Sequence, residues 1–296
     1  MGILEYKNCR LCARNCGVDR NEKYGFCKSG TEMYIARAAL HYWEEPPISG
    51  TNGSGTIFFS GCSLLCAYCQ NREISRGRTG KAVTTERLAD IMLRLQGDGA
   101  HNINLVTPTH YIPSVAEAIA LVKSKGLTIP IVYNTASYEN PEALKILDGL
   151  IDIYLADFKY YTSKTASLSS APDYPEVAKV AISEMFRQVG KPELDEKGIM
   201  KKGIIVRILL LPGRVAEAKL SLKYLVDTYG DNIYVSLMNQ YTPMPDMKPP
   251  LNRRVTKEEY AQLTDYAEKI GLVNGFTQDF GTAEESFIPP FDNTGI

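Results

Sequence analysis

Three cysteines in the stretch Gly61-Cys62-Ser63-Leu64-Leu65-Cys66-Ala67-Tyr68-Cys69-Gln70-Asn71 carry the strongest chemical signal in the chain. Their spacing, C-x3-C-x2-C, puts three thiolates on one short loop. Three such ligands hold three irons of a cubane cluster and leave the fourth iron open. An open iron is a Lewis-acid position, the counterpart of a catalytic zinc that keeps one site free. The bland alternative is a zinc loop, or cysteines buried for packing. Zinc ribbons usually pair two C-x2-C knuckles, however, and no fourth ligand follows this loop. A second group precedes it: Cys9, Cys12, Cys16 and Cys27, spaced C-x2-C-x3-C-x10-C. Four ligands at that spacing suit a tetrahedral zinc site or a second iron–sulfur cluster, and the spacing leaves the two open. Gly17 and Gly25 allow the tight turns such a group needs. The two groups use all seven cysteines of the chain.

The elements that must hold these loops follow in series. Apolar, β-rich runs occur at Thr56–Ser60, Ile103–Thr107, Ile129–Tyr133, Ile153–Ala156, Ile204–Leu211 and Ile233–Leu237. Helical patterns alternate with them at Thr85–Leu95, Val115–Lys125, Pro141–Leu150, Tyr174–Val189, Ala216–Tyr229 and Lys257–Ile270. Asn140-Pro141 reads as an N-cap with proline at the first helical position. Thr256 and Glu259 have the spacing of a capping box. Six strand–helix units in series call for an α/β fold with a parallel sheet and right-handed crossovers, in an open or a closed barrel. Residues 45–55 are rich in Pro, Gly and Ser and read as a linker; residues 191–203 are charged and read as a solvated loop.

Composition bounds the possibilities. A chain of 296 residues with 44% hydrophobic and 23% charged residues is ordinary for a globular protein. The net charge of −1 gives no field toward nucleic acid or membrane. No apolar stretch approaches the roughly 18 residues of a membrane span. Seven cysteines without a secretion pattern favour metal or redox chemistry over disulfides and imply a cytoplasmic protein.

In parallel α/β architectures the chemistry collects at the carboxyl ends of the strands. Besides the cysteine loop, those ends carry Thr107-Pro108-Thr109-His110, Asn134 and Asp157-Phe158-Lys159. Asp157 and Lys159 sit two apart and therefore on one face of their strand. His110 has three readings: a proton-transfer residue, a substrate contact or a satisfied loop histidine.

The cysteine spacing, Tyr68 before the last cysteine and Asn71 two residues after it resemble the radical S-adenosylmethionine (SAM) enzymes. Among these the sequence looks most like the glycyl-radical activating enzymes, such as the pyruvate formate-lyase activating enzyme. The resemblance implies a partial (β/α)6 TIM-like barrel over residues 50–275, preceded by a cysteine-rich metal-binding segment at 1–45 and followed by a tail at 276–296 packed on the barrel. It implies a 4Fe-4S cluster on Cys62, Cys66 and Cys69, with SAM bound at the open iron and cleaved reductively to methionine and a 5′-deoxyadenosyl radical. It implies cofactor contacts at Tyr68, Asn71, Asn134 and Lys159, with Asp157 toward the substrate. The Gly-Gly-Glu usual at the end of the second strand in that family is absent. Thr107 and Thr109 stand there, with hydroxyls that can accept the protons of the SAM amino group.

The N-terminal cysteines, the Thr-Pro-Thr-His run and Gln278-Asp279-Phe280-Gly281 resemble a branch labelled pyruvate formate-lyase activating enzyme-like. In the activating enzymes that carry extra clusters, those cysteines follow the SAM-cluster loop; here they precede it. The partners implied are an electron donor such as flavodoxin or ferredoxin and a protein or peptide substrate, with nucleic acid disfavoured. Within the superfamily, modification of a peptide, RNA or small metabolite competes with glycyl-radical activation. An iron–sulfur electron carrier or a zinc-binding interaction module is the reading from another class, and six βα units are far more scaffold than a carrier needs.

Overall fold

The computed structural model describes residues 4–279 and 288–296. Its strands are β1 (Met33–His41), β2 (Ser54–Phe59), β3 (Lys81–Val83), β4 (Ile103–Val106), β5 (Ile131–Thr135), β6 (Ile153–Asp157), β7 (Glu193–Leu194), β8 (Met200–Leu209), β9 (Tyr234–Met238) and β10 (Gly275–Thr277). The sheet runs β10-β9-β8-β6-β5-β4-β2-β1-β3, with β7 paired to β8 on the side. From β2 to β10 every neighbour along that order is parallel, and β1 is antiparallel to both β2 and β3. The six expected strands are β2, β4, β5, β6, β8 and β9, in chain order across the sheet, and the sheet does not close. That is the mostly parallel α/β arrangement of a partial barrel.

Parallel strands covered on both faces read as continuous apolar runs. Accordingly, every residue of β2, β4 and β5 is buried. Between the strands lie the helices Thr85–Gly97, Ile112–Ser124, Tyr174–Val189 and Val215–Tyr229, and Lys257–Lys269 follows β9. The expected helix from Pro141 is shorter, ending at Leu144 and continuing as a 3-10 turn to Leu147. Asn140 caps it, its side chain accepting from the Glu142 amide at 3.0 Å.

The capping box at the last helix is present. The Thr256 hydroxyl accepts from the Glu259 amide at 3.2 Å, and the Glu259 carboxylate accepts from the Thr256 amide at 2.9 Å. Thr256→Ala is expected to cost about 1 kcal/mol, read as a lower midpoint in chemical denaturation; an unchanged midpoint would show that the box adds nothing.

Three segments differ from the sequence expectations. Residues 33–41, expected with the cysteine segment, form β1 inside the main sheet. Its run Met-Tyr-Ile-Ala-Arg-Ala-Ala-Leu-His is alanine-rich and has weak strand propensity, so pairing with β2, not local preference, makes it a strand. The expected linker 45–55 holds the short helix Pro46–Ser49 and the first residues of β2. The expected loop 191–203 contains β7 and the start of β8, with Ile199 and Met200 buried.

The tail residues Phe280, Gly281 and Phe287 lie outside the described residues. Residues 288–296 run along β1: the Asn293 amide donates to the Ala36 carbonyl at 3.0 Å, and the Ala38 amide donates to the Thr294 carbonyl at 2.9 Å. Phe291 packs edge-on to Phe58, their ring centroids 5.4 Å apart. Among the described residues no helix is long and apolar enough to cross a membrane.

Candidate functional site

β2 delivers the three-cysteine loop to the carboxyl end of the sheet. The turn pivots on Gly61, at φ +92°, where a side-chain carbon would lie 2.7 Å from the Cys27 carbonyl oxygen. Only glycine fits there. The same close approach shows that the N-terminal cysteine segment packs directly behind the loop. Cys66 is buried, and Cys62 and Cys69 are half-buried. The Leu64 amide donates to Cys62 Sγ at 3.4 Å, and the Ser169 hydroxyl donates to Cys66 Sγ at 3.0 Å. Burial, reinforced by the neighbouring Cys66 and Cys69, pushes the Cys62 thiol up to about 12. Burial and Cys66 push Cys69 up as well. Thiolates crowded this way need a cationic partner before they ionise.

All three cysteines open onto one cavity of about 260 Å3, at the small end for a small-molecule site. Tyr68, Asn71, Thr107, Asn134, Asp157 and Lys159, each expected from the sequence, line the same cavity. Thr107 is a β-branched residue held at φ +59°, a conformation that costs about 1–2 kcal/mol and is found where surrounding contacts over-determine the backbone. Its amide donates to the Asn134 carbonyl at 2.8 Å, locking the ends of β4 and β5 together.

Thr109 and His110 do not line the cavity. Both are buried; the Thr109 hydroxyl donates to Glu139 Oε1 at 2.7 Å, and His110 Nε2 donates to the Ser60 carbonyl at 2.7 Å. Burial first, then the Arg20 cation, pull the His110 pKa down to about 3, so the ring stays neutral. Its ring is held behind the cavity by the Nε2 bond alone, with Nδ1 buried and unpartnered among the described residues, a place for a packed loop histidine and not for proton transfer or substrate contact, and the Thr109 hydroxyl is committed to Glu139.

The floor of the cavity holds a charged network that strand-end reasoning only half exposed. Asp157 and Arg207 stand opposite each other on β6 and β8. Arg207 Nε donates to Asp157 Oδ1 at 2.7 Å, Arg207 Nη2 donates to Asn134 Oδ1 at 2.7 Å, and Arg207 Nη1 reaches Glu44 Oε2 at 3.4 Å. Lys159 Nζ donates to the other Asp157 oxygen at 2.5 Å. Burial alone would raise the Asp157 pKa, but Arg207 and Lys159 together hold it below the usual carboxylate range. Burial raises Glu44 despite Arg207, and lifts Glu45 to about 7. Glu44 and Arg207 were missed because one sits at the end of the expected cysteine-rich segment 1–45 and the other in mid-strand. A charged residue inside the apolar run Ile204–Leu211 was the available signal.

In the N-terminal group Cys9, Cys12 and Cys27 are buried and Cys16 is exposed. A side-chain carbon on Gly25 would lie 3.3 Å from Cys27 Sγ and 3.6 Å from Cys16 Sγ, so those two sulfurs flank one glycine. Arg20 Nη1 lies 3.9 Å from Cys9 Sγ. Burial pushes the Cys12 thiol up, and Cys27, Glu139 and Cys9 add to it. Among the described residues no group of three or more His, Cys, Asp or Glu side chains is disposed to hold a single metal ion.

A sequence model of the Radical SAM superfamily matches residues 56–218, more than half of the chain. The chain belongs to the Radical SAM superfamily. Membership implies an enzyme that uses a 4Fe-4S cluster and SAM. The donor set fits that cluster: three sulfurs on one loop, the Cys62 and Cys69 thiols pushed up by burial, opening onto a cavity also lined by Asn134, Asp157, Lys159 and Arg207. This radical SAM chain is 29% identical over 279 residues to an uncharacterised protein of Methanocaldococcus jannaschii, covering 90% of this chain and 76% of that one. A radical SAM methyltransferase from Sphaerobacter thermophilus shares the fold at a TM-score of 0.51 and 14% identity, with 76% of this chain and 66% of that chain aligned. Native anSMEcpe with bound AdoMet does so at 0.50 and 15%, covering 71% of this chain and 59% of its own. The chain thus spans less than two thirds of the length of each of these two structures.

Proposed function

We propose that Cys62, Cys66 and Cys69 hold the 4Fe-4S cluster and that SAM occupies the cavity they open onto. The observation that carries this is the convergence of the three sulfurs with Asn134, Asp157 and Lys159 on one cavity. The bound pair supplies reductive cleavage of SAM, and through it removal of a hydrogen atom from a substrate. The protein's share is to bind, orient and exclude water. Burial would lower the Lys159 pKa, but the charge and hydrogen bond of Asp157, with Cys66 beside it, together raise it and keep the side chain cationic, which suits the SAM carboxylate. Asn71 and Asn134 offer amides to the amino acid or ribose. Tyr68, tilted against Tyr241 with centroids 5.7 Å apart, forms an aromatic wall. Thr107, which lines the same cavity, would receive the SAM amino group, with Asp157 toward the substrate.

Action on a protein or peptide, with glycyl-radical activation as the leading case, is the finer part of the proposal. Trp43, which is 61% exposed, lines the cavity with Ile288 and Pro289, and this apolar rim suits a polypeptide segment. The net charge of −1 supplies no general attraction for nucleic acid. A low-potential carrier such as flavodoxin or ferredoxin would supply the electron. The N-terminal cysteines would hold a second centre, zinc or iron–sulfur, supported by the burial of Cys9, Cys12 and Cys27 behind the loop. Anaerobic incubation of the reduced protein with SAM is expected to release 5′-deoxyadenosine, and a candidate glycyl-radical enzyme added to it should develop a carbon-centred doublet in electron paramagnetic resonance. Release of 5′-deoxyadenosine with a small metabolite alone, and silence with every glycyl-radical candidate, would contradict the protein substrate.

A further inference from the structure

A chain of three buried hydroxyls ends on one of the loop sulfurs. Tyr68 Oη donates to Tyr160 Oη at 2.7 Å, Tyr160 Oη and Ser169 Oγ are 2.5 Å apart, and Ser169 Oγ donates to Cys66 Sγ at 3.0 Å. Tyr160 and Ser169 are wholly buried and Tyr68 nearly so, and buried polar groups of this kind are committed to their protein partners. Each hydroxyl carries one proton. If the Ser169 proton points at sulfur, that of Tyr160 must point at Ser169, so all three donate in the same direction. Hydrogen bonds aligned head to tail polarise one another and strengthen the last of them.

The bond to sulfur is also fixed mechanically from both sides. Ser169 ends the 3-10 turn Ser167–Ser169, and the Leu168 carbonyl of that turn accepts from the Ala67 amide at 3.0 Å. Arg14, between Cys12 and Cys16, donates to the Ser169 carbonyl at 2.9 Å and the Ser170 carbonyl at 2.5 Å. The same guanidinium donates to the Ser63 carbonyl at 2.8 Å and the Leu64 carbonyl at 3.3 Å. One rigid planar fork therefore holds the donor's turn and the acceptor's loop at a set separation, while Phe26 lies under it at 4.0 Å.

We infer that the Tyr68–Tyr160–Ser169 chain sets the reduction potential of the cluster ligated by Cys66. A donor aimed at a ligand sulfur stabilises the extra negative charge of the reduced cluster and raises its potential. The inference rests on the proposal that Cys66 is a cluster ligand, and its readout is a potential, which a purely structural role of these side chains would leave in place.

The test is a redox titration, followed by electron paramagnetic resonance, of the reconstituted full chain and three variants at matched iron content. Ser169→Ala is expected to shift the midpoint to more negative potential. Tyr160→Phe, which leaves the last bond but removes its polarising donor, should shift it in the same direction by less. Ser167→Ala, an exposed change in the same turn, should titrate as wild type. A wild-type midpoint in Ser169→Ala would overturn the inference while leaving the cluster assignment intact. Should Ser169→Ala fail to hold iron, Tyr160→Phe decides in the same way. A wild-type protein that assembles no cluster would overturn both.

Discussion

Cys62→Ala, Cys66→Ala and Cys69→Ala are each expected to abolish 5′-deoxyadenosine formation while the chain stays folded. The three side chains lie on a loop beyond the end of β2, outside every strand pairing of the sheet. Truncating one removes a single sulfur, a change of the size that costs about 1 kcal/mol when buried. The chemical loss is total because the open-iron arrangement needs a protein thiolate on each of the other three irons, and a cluster short of one thiolate loses iron. Circular dichroism and iron analysis on the same samples would separate the two effects: a native spectrum, depleted iron and no SAM cleavage. Cleavage persisting in the triple variant would contradict the assignment.

Arg207→Met is expected to cost about 3–5 kcal/mol at neutral pH, the range for removing one partner of a buried ion pair. Arg207, Asp157 and Glu44 are each between 10% and 16% exposed at the side chain, so solvent cannot replace the lost cation. Without it, Glu44 has no countercharge and Asp157 keeps only Lys159. The pH dependence has a definite sign. With Arg207 present, the depressed Asp157 pKa contributes stability that is complete above the ordinary value of 3.8 and is lost as pH falls through the lower folded value. In the variant burial dominates, the folded pKa values of both carboxyls move up, and the native state takes up protons that the unfolded chain does not. The gap between wild type and variant should therefore narrow as pH falls from 7 toward 5 in denaturant titrations. A gap that is small at pH 7, or that does not change with pH, would contradict the network as described.

The sequence exposed the repeating architecture because β2, β4, β5, β6, β8 and β9 are buried on both faces and announce themselves as apolar runs. β1 stayed hidden because Ala36, Ala38 and Ala39 have no strand preference of their own and become a strand only when β2 and the 293–294 backbone pair with them. The candidate site divides along the same line. Cys62, Cys66, Cys69, Asn134, Asp157 and Lys159 were legible because polar residues at the ends of apolar strands have few places to go except a cleft. Thr109 and His110 share that local pattern, yet the 3-10 turn Thr109–Tyr111 buries them, and no feature of the run Thr-Pro-Thr-His signals it. Glu44 and Ser169 were invisible, and Arg207 showed only a charge in an apolar run, for another reason: their meaning lies in partners 163, 103 and 50 residues away. Pairings at that separation exist only once the sheet has formed.

Whether the three-cysteine loop leaves one iron open to SAM can be read from the electron paramagnetic resonance spectrum of the dithionite-reduced protein. The cluster signal is expected to change in shape when SAM is added to the wild type. The same response is expected in a variant lacking Cys9, Cys12, Cys16 and Cys27, provided the barrel remains folded. A reduced-cluster signal indifferent to saturating SAM would mean that the fourth iron is closed, and would contradict the open-iron assignment.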